Sequence, residues 1–306
     1  MSLHRQKGAA LIMAMLVMAL ATVAATLMLT RMDDWIQTVS SRHDYAQARE
    51  LAKGGINFGR TILLDDARNS TLDHGEETWA QRLPALATEG GELEGNIVDE
   101  QSRFNLNNLL DGRQIDEAAL EDYRRLLVLL GLDPLLAETL ADWLDADEIA
   151  RAGGAESAYY QTLPEPHVAA NQSLERLDDL RRIKGYAAPV IRQLAEYVTV
   201  LPGKREVNVN TASPRLLTAL LPGLSLSEAQ NLVTTRQGAW FTSGADFRNR
   251  LPRSDLPSND TPFSASSNFF SIKASAHFGL AEVRMNALVE RAAGSSLPRI
   301  LWQSEQ

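Results

Sequence analysis

Residues 9–30 read AALIMAMLVMALATVAATLMLT, a run with no charge, no proline and no glycine. As a helix these roughly 22 residues span about 33 Å, slightly more than the ~30 Å hydrocarbon core of a bilayer. The apolar part of a cleavable secretory signal is shorter, about 7–15 residues, although Val23-Ala24-Ala25 imitates a small-residue cleavage site. Length therefore favours a segment that stays in the membrane. Its flanks set the orientation: His4, Arg5 and Lys7 precede it, whereas Arg31 is followed at once by Asp33 and Asp34. The bias of basic residues to the cytoplasmic side leaves the short N-terminus inside and nearly all of the chain outside.

Beyond Arg31, apolar residues recur at Trp35, Ile36, Val39, Tyr45, Ala48, Ala52, Ile56, Gly59 and Ile62. Steps of three and four place them on one helix face, so the membrane helix is expected to continue to about Asp66. It would be near 85 Å long, half in lipid and half lying on a globular head. Gly54 and Gly55 mark a candidate kink, and two separate helices are the simpler alternative. Residues 69–95, rich in Gly, Glu, Asp and Thr, read as a loop with a short helix near 78–83. A hairpin is expected over 92–106, turning at Asp99–Ser102. Three further strands follow at the C-terminal end in FFSIKASAHF (269–278), AEVRMNALVERA (281–292) and PRILWQ (298–303), with turn signals at Phe278-Gly279 and Gly294–Pro298. The block between, about 114–251, is helical in pattern. The expected class is α+β: a long helix on a small antiparallel sheet, with a large all-α insertion.

With 306 residues and 44% apolar content, the chain outside the membrane can bury a core of about two domains. The absence of cysteine excludes disulfides, a thiolate nucleophile and Cys-ligated zinc. A formal charge of −9 disfavours nonspecific attraction to nucleic acid.

Three segments of the helical block align on a glycine: LVLLGLDPLLAETL, LRRIKGYAAPVIRQL and LTALLPGLSLSEAQNL, with Gly131, Gly185 and Gly223 as origin. One position later stand Leu132, Tyr186 and Leu224; nine later stand Leu140, Leu194 and Leu232. Each unit reads as a helix stopped at glycine, an apolar turn and a second helix, and resembles a helix-hairpin-helix element. Such elements commonly hold DNA phosphate on turn N–H groups. VNVNTASPRLL before the third unit and RQGAWFTSGADF after it are also similar to periplasmic DNA receptors of competence systems. A second glycine is missing from each turn, however, where Asp133, Ala187 and Ser225 stand instead. Use of the hairpins purely as core is therefore the favoured reading.

His4, His43, His74, His167 and His277 are scattered, and no HExxH, GxSxG or phosphate-loop pattern occurs, so nothing supports catalysis. Carboxylates do cluster in ADWLDADEIARAGGAESAYY, where Asp145, Asp147 and Glu156 take the first, third and twelfth places of an EF-hand-like spacing. Ala150 replaces the turn glycine and Ile149 an expected ligand, so this is no EF-hand. An irregular loop could still assemble hard oxygen ligands for calcium from these residues, carbonyls and a later amide such as Asn171. The alternative is a solvated acidic helix end around Asp142, Asp145, Asp147 and Glu148, slightly unfavourable against the helix dipole.

Taken in order, Gln6-Lys7-Gly8, the apolar helix from Ala9, IVDEQSRFNLN (97–107), the ADWLDAD…GGAESAYY loop and VNVNTA (207–212) resemble the K-type minor pseudopilins of type II secretion. The resemblance covers nearly the whole chain. It implies a prepilin leader over 1–8, cut after Gly8 by prepilin peptidase with methylation of Ala9, and a transmembrane stretch over 9–30. It further implies a pilin-like body from 31–110 and 253–306, and an inserted helical domain over 111–252. The protein would be a single-pass component of the cell inner membrane, cytoplasmic at its N-terminus and periplasmic in bulk. Pilin-like proteins usually carry glutamate at the fifth mature position, which meets a neighbour's amine; Met13 stands there, as suits a subunit at the pseudopilus tip. The family also implies structural Ca2+, with Asp145, Asp147, Glu156 and Asn171 as ligands. Its implied partners are the I-type, J-type and H-type minor pseudopilins and the pseudopilus they begin, for protein export across the outer membrane, with no nucleic acid. A membrane-anchored DNA receptor and a type IV pilus minor pilin are the competing readings.

Overall fold

The computed structural model describes residues 5–88, 90–256, 263–292 and 296–305. The expected leader residues 1–4 and part of the expected Gly294–Pro298 turn lie outside the described residues. Helix α1 runs unbroken over Arg5–Asn69, 65 residues or about 97 Å. The helix continues through the candidate kink at Gly54 and Gly55, as expected, and packing gives a reason for the glycines. Ala48, Ala52, Ile56 and Leu63 are fully buried against the sheet, and the helix backbone comes close to it at two glycines. A Cβ on Gly55 would stand 2.8 Å from Leu93 Cδ1 and 2.9 Å from Ala274 Cβ; one on Gly59 would stand 2.8 Å from Ile272 Cγ2. These glycines give the sheet room.

The sheet is built from β1 (Leu83–Thr88), β2 (Gly91–Asp99), β9 (Phe269–Phe278), β10 (Ala281–Glu290) and β11 (Arg299–Glu305). They lie side by side in that order, every neighbouring pair antiparallel. Alternation turns Phe270, Ile272, Ala274 and Ala276 of β9 and Val283, Met285, Ala287 and Val289 of β10 toward α1, forming one core with its buried face. Tyr45 and Arg49 meet Glu305 at the lower end of the sheet, and Asp66 meets Arg291 at 2.6 Å at the upper end.

Two sequence expectations fail here. Residues 83–88 read as loop because LPALAT lacks alternation and contains Pro84, but an edge strand needs only one set of ladder bonds and accepts proline. The hairpin over 92–106 does not form: β2 pairs instead with β1 and β9, and after a 3₁₀ turn at Glu100–Ser102 the chain leaves the sheet. Asp99 drives that exit by accepting a bond from Gln101 N–H at 2.8 Å. The apolar stripe also extends further than its cover. Trp35, Ile36, Val39 and Tyr45 are 47–66% exposed, because the lowest sheet turn, at Gly279-Leu280, reaches α1 only at Asp44.

Between β2 and β9 lies the helical region, so entry and exit are on paired strands, with Asp99 opposite Phe270. It contains α2 (Glu117–Leu129), α3 (Leu136–Leu144), α4 (Ser157–Tyr160), α5 (Ala188–Leu194), α6 (Pro214–Leu220), α7 (Leu226–Thr235) and α8 (Gly244–Asn249). Two-residue strands stitch it together: β3 (Phe104–Asn105) with β6 (Val198–Thr199), β4 (Leu110–Asp111) with β5 (Gln114–Ile115), and β7 (Val207–Asn208) with β8 (Phe263–Ser264). Its core is separate from that under α1. A small apolar contact of Leu201 with Phe269 and Leu288 joins it to the outer sheet face.

Candidate functional site

α3 buries Leu136, Leu140, Trp143 and Leu144 and stops at Asp145, whose extended backbone turns the chain outward while its N–H still bonds Ala141 O at 3.0 Å. Asp147 then accepts Ile149 N–H at 2.8 Å, an Asx turn that folds the loop back. Asp142, one turn inside the helix and wholly buried, takes Arg151 N–H on both oxygens at 3.2 and 3.1 Å. Gly154 lies so close that a Cβ there would collide with the Asp142 carboxylate, and Gly153 is left-handed at φ 89°. The glycine pair is thus a matter of fit, not of looseness. Glu156 precedes α4 without capping it. Asn171, left-handed at φ 49°, is held by its N–H on Trp143 O at 3.0 Å.

This path brings three of the expected residues together: oxygens of Asp145, Asp147 and Glu156 all lie within 4.8 Å of one another. Asp145 and Glu156 are buried, at 6% and 4% exposure, and Asp147 is exposed. Asn171 donates through Nδ2 to Glu148 Oε1 at 3.3 Å, leaving Oδ1 at the buried end of the amide. Among the described residues Asp145 Oδ1, both Glu156 oxygens and Asn171 Oδ1 are buried with no hydrogen-bond partner. Among the described residues no ion pair reaches the three carboxylates either; the nearby Arg151 acts on Asp145 only through space and pairs with Glu117 at 2.5 Å, Glu138 at 3.7 Å and Asp142 at 3.9 Å. Burial, reinforced by Asp147 and Asp142, pushes Asp145 up to about 6. Glu156 rises to about 8, from burial first and then the charges of Asp142, Asp145, Glu148 and Asp147. Unpartnered oxygens and repelling charges that no cation contacts among the described residues fit a hard divalent ion, which calcium's six to eight oxygen ligands describe. Sequence reasoning missed Asp142 as the organiser of the loop; its place one turn before Asp145 was the available signal.

Gly131, Gly185 and Gly223 all have positive φ, 69°, 88° and 88°, so the aligned turns are real. Their aligned Leu140, Leu194 and Leu232 are buried in one core. The first helix of the second unit is a 3₁₀ segment, Leu177–Arg182. Turn donors are already engaged: Asp133 accepts Leu135 N–H, and Ser225 and Glu228 form a reciprocal capping box at α7.

The asparagines of the signature stretches have structural roles. Asn105, Asn107 and Asn108 bond the backbone of 201–205, Asn108 taking both Arg205 N–H and C=O at 2.8 Å. Asn107 also takes both groups of Leu174, three residues after Asn171. In VNVNTA, Asn208 donates to Asp73 O, Asp99 Oδ2 and Ser267 Oγ, each at 3.0 Å. Met13, 67% exposed, and the backbone of Gly8 and Ala9 lie within α1.

Family models described as Type II secretion system (T2SS), protein K match residues 102–203 and 207–266. Type II secretion system protein K of Pseudomonas aeruginosa is 31% identical over 286 residues, 90% of this chain and 85% of that protein. The chain belongs to the type II secretion system protein K family. The Klebsiella pneumoniae relative is 34% identical over 273 residues, 84% of this chain and 82% of its own. The fold is that of a solved chain in the GspK-GspI-GspJ complex of the enterotoxigenic Escherichia coli Type 2 Secretion System, with TM-score 0.77 at 23% identity, covering 88% of this chain and 99% of that one. The matched family regions span the asparagine clamp, the carboxylate loop and VNVNTA, the parts of the helical region tied together by side-chain bonds.

Proposed function

We propose that this chain is the minor pseudopilin at the tip of the type II pseudopilus, assembled with I-type and J-type minor pseudopilins and starting the pseudopilus for protein export. One observation carries tip placement: the helical region leaves the sheet at the end of α1 furthest from the apolar run. Asp99 and Arg291 lie there, near Asp66, whereas Glu305 meets α1 at Tyr45. A mass at that end caps a filament of packed helices. The apolar half of α1, exposed along 9–30, is the inner-membrane anchor, with the N-terminus cytoplasmic and the bulk periplasmic. Prepilin peptidase cuts after Gly8 and Ala9 is methylated; Met13, lacking a carboxylate, has no neighbour's amine to meet. The H-type minor pseudopilin then follows the tip. The role is structural and needs neither catalysis nor nucleic acid.

Structural calcium belongs to the same reading. Asp145, Asp147, Glu156 and Asn171 would hold it, and the ion would supply the positive charge that the loop lacks. With α3, α4 and the Asn171 turn drawn together, the carboxylate loop would keep one shape. Co-purification of the membrane-extracted chain with I-type and J-type partners tests the proposal, with intact mass beginning at Ala9 plus one methyl group. Failure to bind either partner, with processing intact, would reject the tip assignment.

A further inference from the structure

A second group of carboxylates stands where the helical region joins the sheet. Oxygens of Asp66 on α1 and of Asp73 and Glu77 in the segment after it lie within 4.8 Å of one another. Arg291, just past β10, reaches in: Nη1 donates to Asp66 at 2.6 Å, and Nη2 to both Asp73 oxygens and to Ser267 O at 2.5–2.7 Å. Asp73 also crosses the join, through its N–H on Ala265 O, its C=O on Asn208 Nδ2 and its carboxylate on Ser267 N–H. His74 stacks flat on Trp240 of the helical region, centroids 4.3 Å apart, with Nε2 3.9 Å from Glu77 Oε1. From β2, buried Asp99 accepts Asn208, Thr211 and Ser267.

We propose that this junction is an acid-tightened latch: one proton taken up by the Asp66–Asp73–Glu77 group draws the helical region onto the sheet, and its loss loosens the join. Asp66 and Asp73 share one guanidinium with the Glu77 carboxylate close beside them, so in the fully ionised state like charges repel inside a dry site. Asp73 has the fuller set of partners and keeps its charge against Arg291. Asp66, with a single Arg291 bond, takes the proton. The charged and titratable groups facing the site are Asp66 from α1, Asp73, His74 and Glu77 from the segment after it, Asp99 from β2 and Arg291 from the end of β10. Burial pushes Asp66 and Asp99 up to about 6, and Asp73 upward as well. A raised carboxyl pKa stabilises the folded state fully below the unfolded value near 4 and loses that effect as pH rises through about 6.

Backbone hydrogen exchange of the full chain in detergent, corrected for intrinsic rates, tests the latch at pH 5.5 and 7.5 in excess calcium and in chelator. Amides of Asp73, Val209 and Ser267 should be about fourfold better protected at pH 5.5, the change one carboxyl titrating at about 6 gives between these two pH values, while β9–β10 amides stay level. Asp66→Asn should flatten the difference; Glu77→Gln should reduce it and serves if the first variant folds poorly. Protection that ignores pH in the wild type, that responds only in chelator, or that keeps its full response in both variants overturns the latch.

Discussion

The Asp145–Asp147–Glu156 and Asp66–Asp73–Glu77 groups are alike in composition and equally close-packed, yet only one of them contains a cation. Arg291 enters the second group with one bond to Asp66 and two to Asp73, plus one to Ser267 O, and among the described residues that group has no fully buried oxygen without a partner. The first has orphaned oxygens on Asp145 and Glu156, and Arg151 is paired instead with Glu117, Glu138 and Asp142. Carboxylate density alone therefore does not define a metal centre. What distinguishes one is a charge deficit that the chain's own residues leave uncompensated.

The comparison breaks most severely at Arg291. Arg291→Met leaves Asp66 and Asp73 buried without their counter-ion, and should cost about 3–5 kcal/mol in denaturant unfolding of the pilin-like core. A loss under about 1 kcal/mol would mean that the two groups are equivalent after all. Calcium is the next largest effect. At 100-fold excess over Kd it should add about 2.7 kcal/mol, and Asp145→Asn should remove most of the calcium-dependent rise in Tm while Glu121→Gln leaves it. Equal melting in calcium and chelator would return the loop to a solvated helix end.

The same contrast has a pH signature. Asp145 at about 6 and Glu156 at about 8 are raised above their ordinary values of 3.8 and 4.5. The metal-free chain should therefore lose stability as pH rises from about 5 through 8, where these protons leave, and calcium should flatten the curve by replacing them. Thermal melts across that range, with and without chelator, read the difference directly; identical slopes would count against a shared site. The smallest effect is expected at Gly154→Ala. Its Cβ must displace a buried, hydrogen-bonded Asp142, costing about 1–3 kcal/mol and weakening calcium binding in a titration, with the sheet unaffected.

Much of the architecture is legible in local sequence. The apolar run, the continuing stripe on α1, the three C-terminal strands and the glycine-aligned hairpins all depend on local periodicity or on a backbone angle that glycine alone adopts easily. Spacing also singles out Asp145, Asp147 and Glu156, whereas Asn171 enters only as one amide within reach along the chain and through the family resemblance. The strand at Leu83–Thr88 escapes because edge pairing, not its own pattern, makes it a strand. The false hairpin over 92–106 arises because Asp99–Ser102 does turn the chain, only away from the sheet instead of back along it.

By itself, then, the sequence determined a membrane-length helix, an α+β class, a repeated hairpin and a loop with a local excess of carboxylate, since each is written in residues near one another along the chain. Tertiary structure alone decided which carboxylates keep a cation. Arg291 reaches Asp66 and Asp73 from more than 200 residues away, and Asn171 meets Glu148 of the carboxylate loop through the turn pinned to Trp143. Charge compensation in a buried site depends on distance and desolvation, and neither exists until the chain has closed.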